Sequence, residues 1–202
     1  MARAPWIVAG AAVTAAGFYW ARKNPSACPY SSRFLVAGPH PGIPRSRLLE
    51  VLDPAPGERI LEIGPGTGYY AVPVASRLGE GRLAIFDIQQ EFLDHTVRAG
   101  AERGLDNIDP TLGDAQRLPY DDESFDGAYL VTVLGEIPDQ DAALRELRRV
   151  LKTSGRLVVE ETFAGDPHVV RFGPLQKRAS DAGLTYDARR GSPLGYFARF
   201  RK

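Results

Sequence analysis

The residues with the clearest chemical potential stand in "RILEIGPGTGYY", residues 59–70. Three glycines alternate at Gly64, Gly66 and Gly68 behind an apolar run, and Glu62 precedes the first by two residues. A glycine turn after a strand lets the backbone approach a nucleotide or nucleoside closely. The spacing departs from the G-x-G-x-x-G of a dinucleotide site, and no Lys-Ser/Thr pair follows to make a P-loop. A carboxylate at Glu62 repels phosphate and attracts an ammonium or a sulfonium. Asp87 closes an apolar stretch 23 residues after Gly64, where a carboxylate can accept both hydroxyls of a ribose. Asp114 stands in "GDA", suited to accept a hydrogen bond from an adenine amino group. Each of these two also reads plainly as a helix or turn cap.

Acid–base candidates come later in the chain. Glu136 in "VLGEIPD" could hold a cationic acceptor or take a proton, or it is a solvent-facing acid near a helix start. His168 in "AGDPHVV" has the side chain best suited to proton transfer near neutral pH. Asp166-Pro167 also reads as an N-cap with proline at the first helical position, which would make His168 the start of a helix. Glu160 and Glu161 are neighbours in a strand, so only one of them can face a site. Tyr69 and Tyr70 read as cofactor-packing or core residues, and His40 and His95 as structural or exposed. Cys28 is the only cysteine, which excludes an intramolecular disulfide and a cysteine-cluster metal site. No metal is expected.

The elements that position these residues alternate. Helices are expected at Arg45 to Leu52, Tyr70 to Leu78, Gln90 to Arg103, Asp139 to Leu151 and Val169 to Ala182. The inner face of the third is expected to carry Phe92, Leu93, Val97 and Ala101. Strands are expected at Arg59 to Ile63, Leu83 to Phe86, Asn107 to Leu112, Phe125 to Val133 and Arg156 to Thr162, with a closing hairpin around "RGSPLG". This order predicts an α/β fold: an open, mostly parallel sheet with helices on both faces and an antiparallel end.

Charge is unevenly distributed along the 202 residues. Residues 1–50 carry a net +5, residues 51–170 a net −11 and residues 171–202 a net +6. An acidic middle between basic ends excludes a general nucleic-acid binder, while basic ends suit an anionic lipid surface or are simply solvated. "PWIVAGAAVTAAGFYWARK" has no charge between Arg3 and Arg22 and has aromatic residues at both ends. From Trp6 to Trp20 is about 21 Å as a helix, short of a hydrocarbon core of about 30 Å unless the flanking arginines snorkel. A cleaved signal peptide fits poorly, because aromatics stand where small residues should precede cleavage. A core helix and a membrane anchor remain, and the aromatic ends favour the anchor. Gly10, Thr14, Gly17 and Ala21 share one helix face, which allows a homodimer. The expected division is an anchor over 1–23, a proline-rich linker over 24–45 with Phe34, Leu35 and Val36 docking, and a domain over 46–202.

From about Ile43 to Phe200 the chain resembles the class I S-adenosylmethionine-dependent methyltransferases. The motifs are "LEIGPGTG", "FDIQ", "GDAQRLPYDDESFDGAYL" and "ALRELRRVLKTSGRLVVEE", the last two close to the subgroup of quinone-biosynthesis and sterol methyltransferases. The resemblance implies a Rossmann-like seven-stranded sheet. It places Glu62, Gly64, Gly66 and Gly68 at the methionine end of S-adenosylmethionine, Asp87 on the ribose, and Asp114 with Ala115 on the adenine. Ile88 and Val131 complete the implied cofactor set, with Glu136 and His168 as the catalytic candidates. Quinone C-methyltransferases carry a Gly-Arg-Asn signature after the fourth strand, and this chain has "VTVLGEIPD" there. The expected activity is methyl transfer to a small, apolar or membrane-associated acceptor, with the domain facing the cytoplasm, where the cofactor is made. A catalytically silent cofactor-binding scaffold and an NAD-linked oxidoreductase are the alternatives.

Overall fold

The computed structural model describes residues 19–20, 22–35, 37, 42–162, 167–192 and 195–202. The strands are β1 (Arg59–Ile63), β2 (Arg82–Asp87), β3 (Ile108–Leu112), β4 (Phe125–Val131), β5 (Leu151–Thr162), β6 (Thr185–Ser192) and β7 (Gly195–Arg201). The helices are α1 (Arg45–Leu52), α2 (Ala71–Leu78), α3 (Gln90–Ala101), α4 (Gln140–Val150) and α5 (Phe172–Asp181). One seven-stranded sheet runs β3-β2-β1-β4-β5-β7-β6, parallel from β3 to β5 and antiparallel through β7 and β6. The expected α/β architecture and its terminal hairpin are both present.

Strands covered on two faces read as continuous apolar runs, and β1 and β4 do so because helices pack on each side. On one face Leu61, Leu130, Leu157 and Phe200 meet Leu144 and Leu147 of α4 and Leu175 of α5. On the other, Ile60, Ile85, Tyr129 and Val158 meet Leu48 and Leu52 of α1, Val74 of α2 and Leu93 of α3. The register sets Ile63 beside Phe86 on one side and Leu130 on the other, so β1, β2 and β4 end at one level. The chain crosses from one side of the sheet to the other between β1 and β4, which opens a crevice at their carboxyl ends.

Several boundaries differ from the sequence expectation for identifiable reasons. The helix expected from Val169 begins at Phe172, and Pro167 and His168 form a turn. Val170 is tied to the sheet instead: its N–H donates to Glu161 Oε2 at 2.9 Å, and its carbonyl accepts from the Tyr196 hydroxyl at 2.7 Å. Asp166 lies outside the described residues, as do His40 and Val36. On α3 the buried positions are Phe92, Leu93, Thr96 and Gly100, whereas Ala101 is exposed. A Cβ at Gly100 would come within 2.6 Å of Ile108, so the helix rotates its smallest residue onto β3. β5 starts at Leu151, which pairs with Phe125, rather than at Arg156. Pro110 is accommodated because β3 is an edge strand. In the linker, Phe34 is 71% exposed, so it does not dock. Residues 1–18 are outside the described part, and among the described residues no helix is long and apolar enough to cross a membrane.

Arg156 fastens the end of the sheet remote from that crevice. Its buried guanidinium donates to the carbonyls of Leu52 and Asp53 and forms a two-pronged pair with Glu58, at 2.9 and 2.6 Å. Removing it leaves three acceptors without their donor, so Arg156→Ala should lower the free energy of unfolding by about 3 kcal/mol. Urea titration would check this; a loss under a third of that would show the pair to be replaceable by water.

Candidate functional site

A cavity of about 440 Å³ opens at the crevice. Its walls come from the turn after β1, the ends of β2 and β4, the loop after β3, and residues 25–28 of the linker. The turn has the form that the alternating glycines predict. Gly64 and Gly66 take φ of 71° and 56°, a region where a side chain is strained. A Cβ on Gly64 would also lie 2.4 Å from Val133 Cγ2. Gly64 and Gly66 line the cavity, but Gly68 does not; it sits under α3 beside Thr96 and Ala99.

Glu62 is not on the cavity wall either, although it was expected there. In β1 it faces the same side as Ile60, so it is buried behind the turn beside Tyr129 and is 2% exposed. Burial pushes its pKa up to about 8; the nearby Tyr129 hydroxyl offsets part of this without a hydrogen bond of ordinary geometry, and Asp87 adds repulsion. Burial therefore favours the protonated form of Glu62.

The other cofactor candidates converge. Asp87 ends β2 on the cavity wall, and its Oδ1 accepts the Gln89 N–H at 2.9 Å. Burial raises its pKa to about 6, against the lowering effect of the N–H groups of Gln89 and Ile88. Ile88 is 56% exposed and offers an apolar edge to the cavity, with buried Ala115 and Val131 as further walls. Asp114 also lines it, yet its carboxylate accepts from the Gln116 backbone N–H at 2.9 Å and from the Gln116 amide at 2.7 Å. Asp114 is thus a turn cap that also faces the site. Tyr69 and Tyr70 both line the cavity: Tyr70 is core, its hydroxyl bonded to the Ile43 carbonyl at 2.6 Å, and Tyr69 stacks under Arg45.

The two catalytic candidates separate. Glu136 lines the cavity mouth, where its Oε2 accepts the Cys28 N–H at 3.2 Å. His168 does not reach the cavity; it lines a neighbouring one and packs its carbonyl against Gly135. Neither Glu160 nor Glu161 lines the cavity, although both are buried. His95 accepts or donates a hydrogen bond with the Tyr30 hydroxyl at 3.1 Å, a structural role.

Three further features shape the site. The linker crosses the cavity as a strap. The Gln89 amide grips it at one point, accepting from Tyr30 N–H and donating to the Cys28 carbonyl, each at 2.9 Å. Thr132 takes φ of 56°, a costly backbone for a β-branched residue, exactly where the chain leaves β4. Finally, Asp87, Asp114 and Glu136 line the cavity, and among the described residues no Lys or Arg does.

Glu62 yields a test of the buried electrostatics. Its folded pKa of about 8 lies above its ordinary value of 4.5, so protonation favours the folded state. That contribution is complete below about pH 4.5 and is lost as pH rises through about 8. Thermal unfolding of Glu62→Gln across this window should show the wild type falling relative to the variant; parallel curves would overturn the assignment.

Comparison with known proteins agrees with this geometry. Residues 60–155 match the family model described as a methyltransferase domain. A ubiquinone/menaquinone biosynthesis C-methyltransferase UbiE of Paraburkholderia phymatum is 41% identical over 110 residues, 52% of this chain and 44% of that protein. A demethylmenaquinone methyltransferase of Corynebacterium efficiens is 35% identical over 133 residues, 66% of this chain and 53% of that protein. The chain spans about half the length of the curated relatives it matches. The crystal structure of a SAM-dependent methyltransferase from Aquifex aeolicus shares the fold, with a TM-score of 0.79 at 18% identity over 86% of this chain and 98% of that one. Residues 60–155 thus carry a methyltransferase domain by similarity, and the chain shares the fold of a solved S-adenosylmethionine-dependent methyltransferase.

Proposed function

We propose that the cavity binds S-adenosylmethionine and that the chain transfers its methyl group to a small, apolar acceptor. The observation that carries this reading is the wall chemistry: three acids and no cationic side chain among the described residues. Such a wall suits an ammonium and a sulfonium and opposes the pyrophosphate of a dinucleotide. S-adenosylmethionine supplies an electrophilic methyl on a sulfonium that departs as a neutral thioether. The chain's own work is then largely positioning. Asp87 accepts from the ribose hydroxyls, Ile88, Ala115 and Val131 enclose the adenine, and Gly64 and Gly66 let the backbone reach the amino-acid end. Glu136 stands at the mouth, where it takes the proton an acceptor loses or holds a cationic one.

The relatives named for quinone biosynthesis support a quinone-type acceptor, and the apolar residues Ile137, Pro138 and Tyr69 on the cavity wall agree with it. "VTVLGEIPD" in place of the Gly-Arg-Asn signature argues that this acceptor is not identical to theirs. We further propose membrane association through residues 5–21, with the domain over 46–202 facing the cytoplasm. The apolar composition, Arg22-Lys23 and the exposure of Tyr19 and Trp20 support it, and the small-residue face through Gly10 and Gly17 supports pairing of two copies there.

Calorimetry is the first test. S-adenosylmethionine and S-adenosylhomocysteine should bind and NAD should not; the reverse result would sink the proposal. Asp87→Asn should weaken cofactor binding about tenfold, from one lost charge-assisted hydrogen bond. Wild-type affinity should rise as pH passes upward through about 6, because Asp87 must be ionised to accept twice, and the variant should lose that dependence. With labelled cofactor and a membrane extract, Glu136→Gln should lower turnover and leave cofactor affinity intact; unchanged turnover would remove Glu136 from the reaction.

A further inference from the structure

A second cavity, of about 230 Å³, adjoins the first, with Pro25 of the strap lining both. Its chemistry is the inverse of its neighbour's. Arg22, His168, Arg171 and Arg178 line it, with Gln140 and Gly135 beside them. The four basic residues come from three separate parts of the chain: the segment before the strap, the turn after β5, and α5. Arg22 reaches the turn by donating Nη1 to the Pro167 carbonyl at 3.1 Å. Arg178 pairs with Asp141 at 2.5 Å. Among the described residues, Asp141 offsets one of the three guanidinium charges and no acid lines the cavity. Like charges gathered round one concavity repel unless an anion joins them.

We infer that this second cavity binds the phosphate group of a ligand, held by Arg22, Arg171 and Arg178. Guanidinium groups present paired donors that match a tetrahedral oxyanion, and several of them around one centre are selective for phosphate over a neutral group. The cavity is too small for a macromolecule to enter, so the ligand offers a single headgroup: a soluble phosphate ester or the exposed phosphate of a lipid. The same wall position at Pro25 means that a ligand held here lies next to the cofactor cavity without sharing its residues of opposite charge. The inference does not depend on the cofactor assignment.

The test uses the full-length chain without cofactor. Titration with inorganic phosphate should show one saturable site. Arg171→Gln and Arg178→Gln should each weaken it about tenfold, the effect of one charged hydrogen-bonding partner. Arg171→Lys should keep the charge but lose the paired donors, and so should bind phosphate better than Arg171→Gln and less well than the wild type. Arg190→Gln, at an exposed arginine on β6 that pairs with Glu50, should change nothing. Cofactor affinity, measured in parallel, should be the same in all variants, which also shows that each one folds. No saturable phosphate binding, or equal weakening by Arg190→Gln, would overturn the site in favour of a diffuse basic surface. Flotation with phosphatidylcholine vesicles, with and without phosphatidic acid, separates the sources. If the gain from phosphatidic acid disappears in Arg171→Gln and is competed by phosphate, the headgroup enters the site. If the gain persists in the variant while phosphate binding is lost, the site serves a soluble phosphate ester.

Discussion

Val133 occupies the space that a side chain at residue 64 would need. That contact closes the ends of β1 and β4 on each other, and the cavity floor rests on it. For Val133 to reach Gly64, the chain leaving β4 must turn sharply, and Thr132 absorbs the turn in a left-handed conformation. Hydrogen bonds on both sides hold the strained residue: Thr132 N–H donates to the Glu160 carbonyl at 3.0 Å, and its hydroxyl donates to the Val131 carbonyl at 2.7 Å. The strain is local and the sheet sustains it, which is the usual setting for such backbone at a working site. From that turn the chain passes through the short helix at Leu134–Glu136, and Glu136 arrives at the mouth.

Electrostatics then divides the carboxyl edge into two compartments. Acids at the ends of β2 and β3 and after β4 line one cavity, and burial shifts Asp87 and, behind the wall, Glu62 toward the protonated form. A cationic ligand would reverse that balance, because its charge favours the ionised carboxylates. The arginines before the strap and around α5 make the adjoining cavity positive. The uneven charge along the sequence, acidic in the middle and basic at both ends, is folded into neighbouring surfaces of opposite sign.

The sequence disclosed the part of the site that depends on short-range rules. Alternating glycines demand a turn, a carboxylate after an apolar run marks a strand end, and alternating helices and strands put those ends on one edge. The strap was legible only as a linker crossing the domain, because its anchor is Gln89, an unremarkable amide between two motifs. Phe34 was expected to dock because it is apolar, but the docking residue is Tyr30, which packs edge-on to Phe92 at 5.1 Å. His168 illustrates the other limit. Asp166-Pro167 is a sound local start signal for a helix, yet Glu161 and Tyr196 claim Val170 through contacts made only once the hairpin has returned to β5. That long-range capture delays the helix and sets His168 in the second cavity. Glu62 stands beside the turn in the sequence, but strand alternation sends its side chain to the buried face of Ile60 and Tyr129, off the cavity wall.

The matched family region covers residues 60–155, so the strap, α1, α5 and the β6–β7 hairpin lie outside it. The residues proposed for the cofactor, Gly64, Gly66, Asp87, Ile88, Ala115 and Val131, fall inside that region, whereas the strap and the arginines of the second cavity fall outside it. A domain that shares its cofactor chemistry with many relatives can differ from them only through what surrounds the reacting methyl. Here that surround is built by the two flanks of the chain meeting across the sheet edge: Arg22 touches the carbonyl of Pro167, and Cys28 touches Glu136. These contacts join the N-terminal strap to the loop after β4 and to the segment after β5, away from the glycine turn.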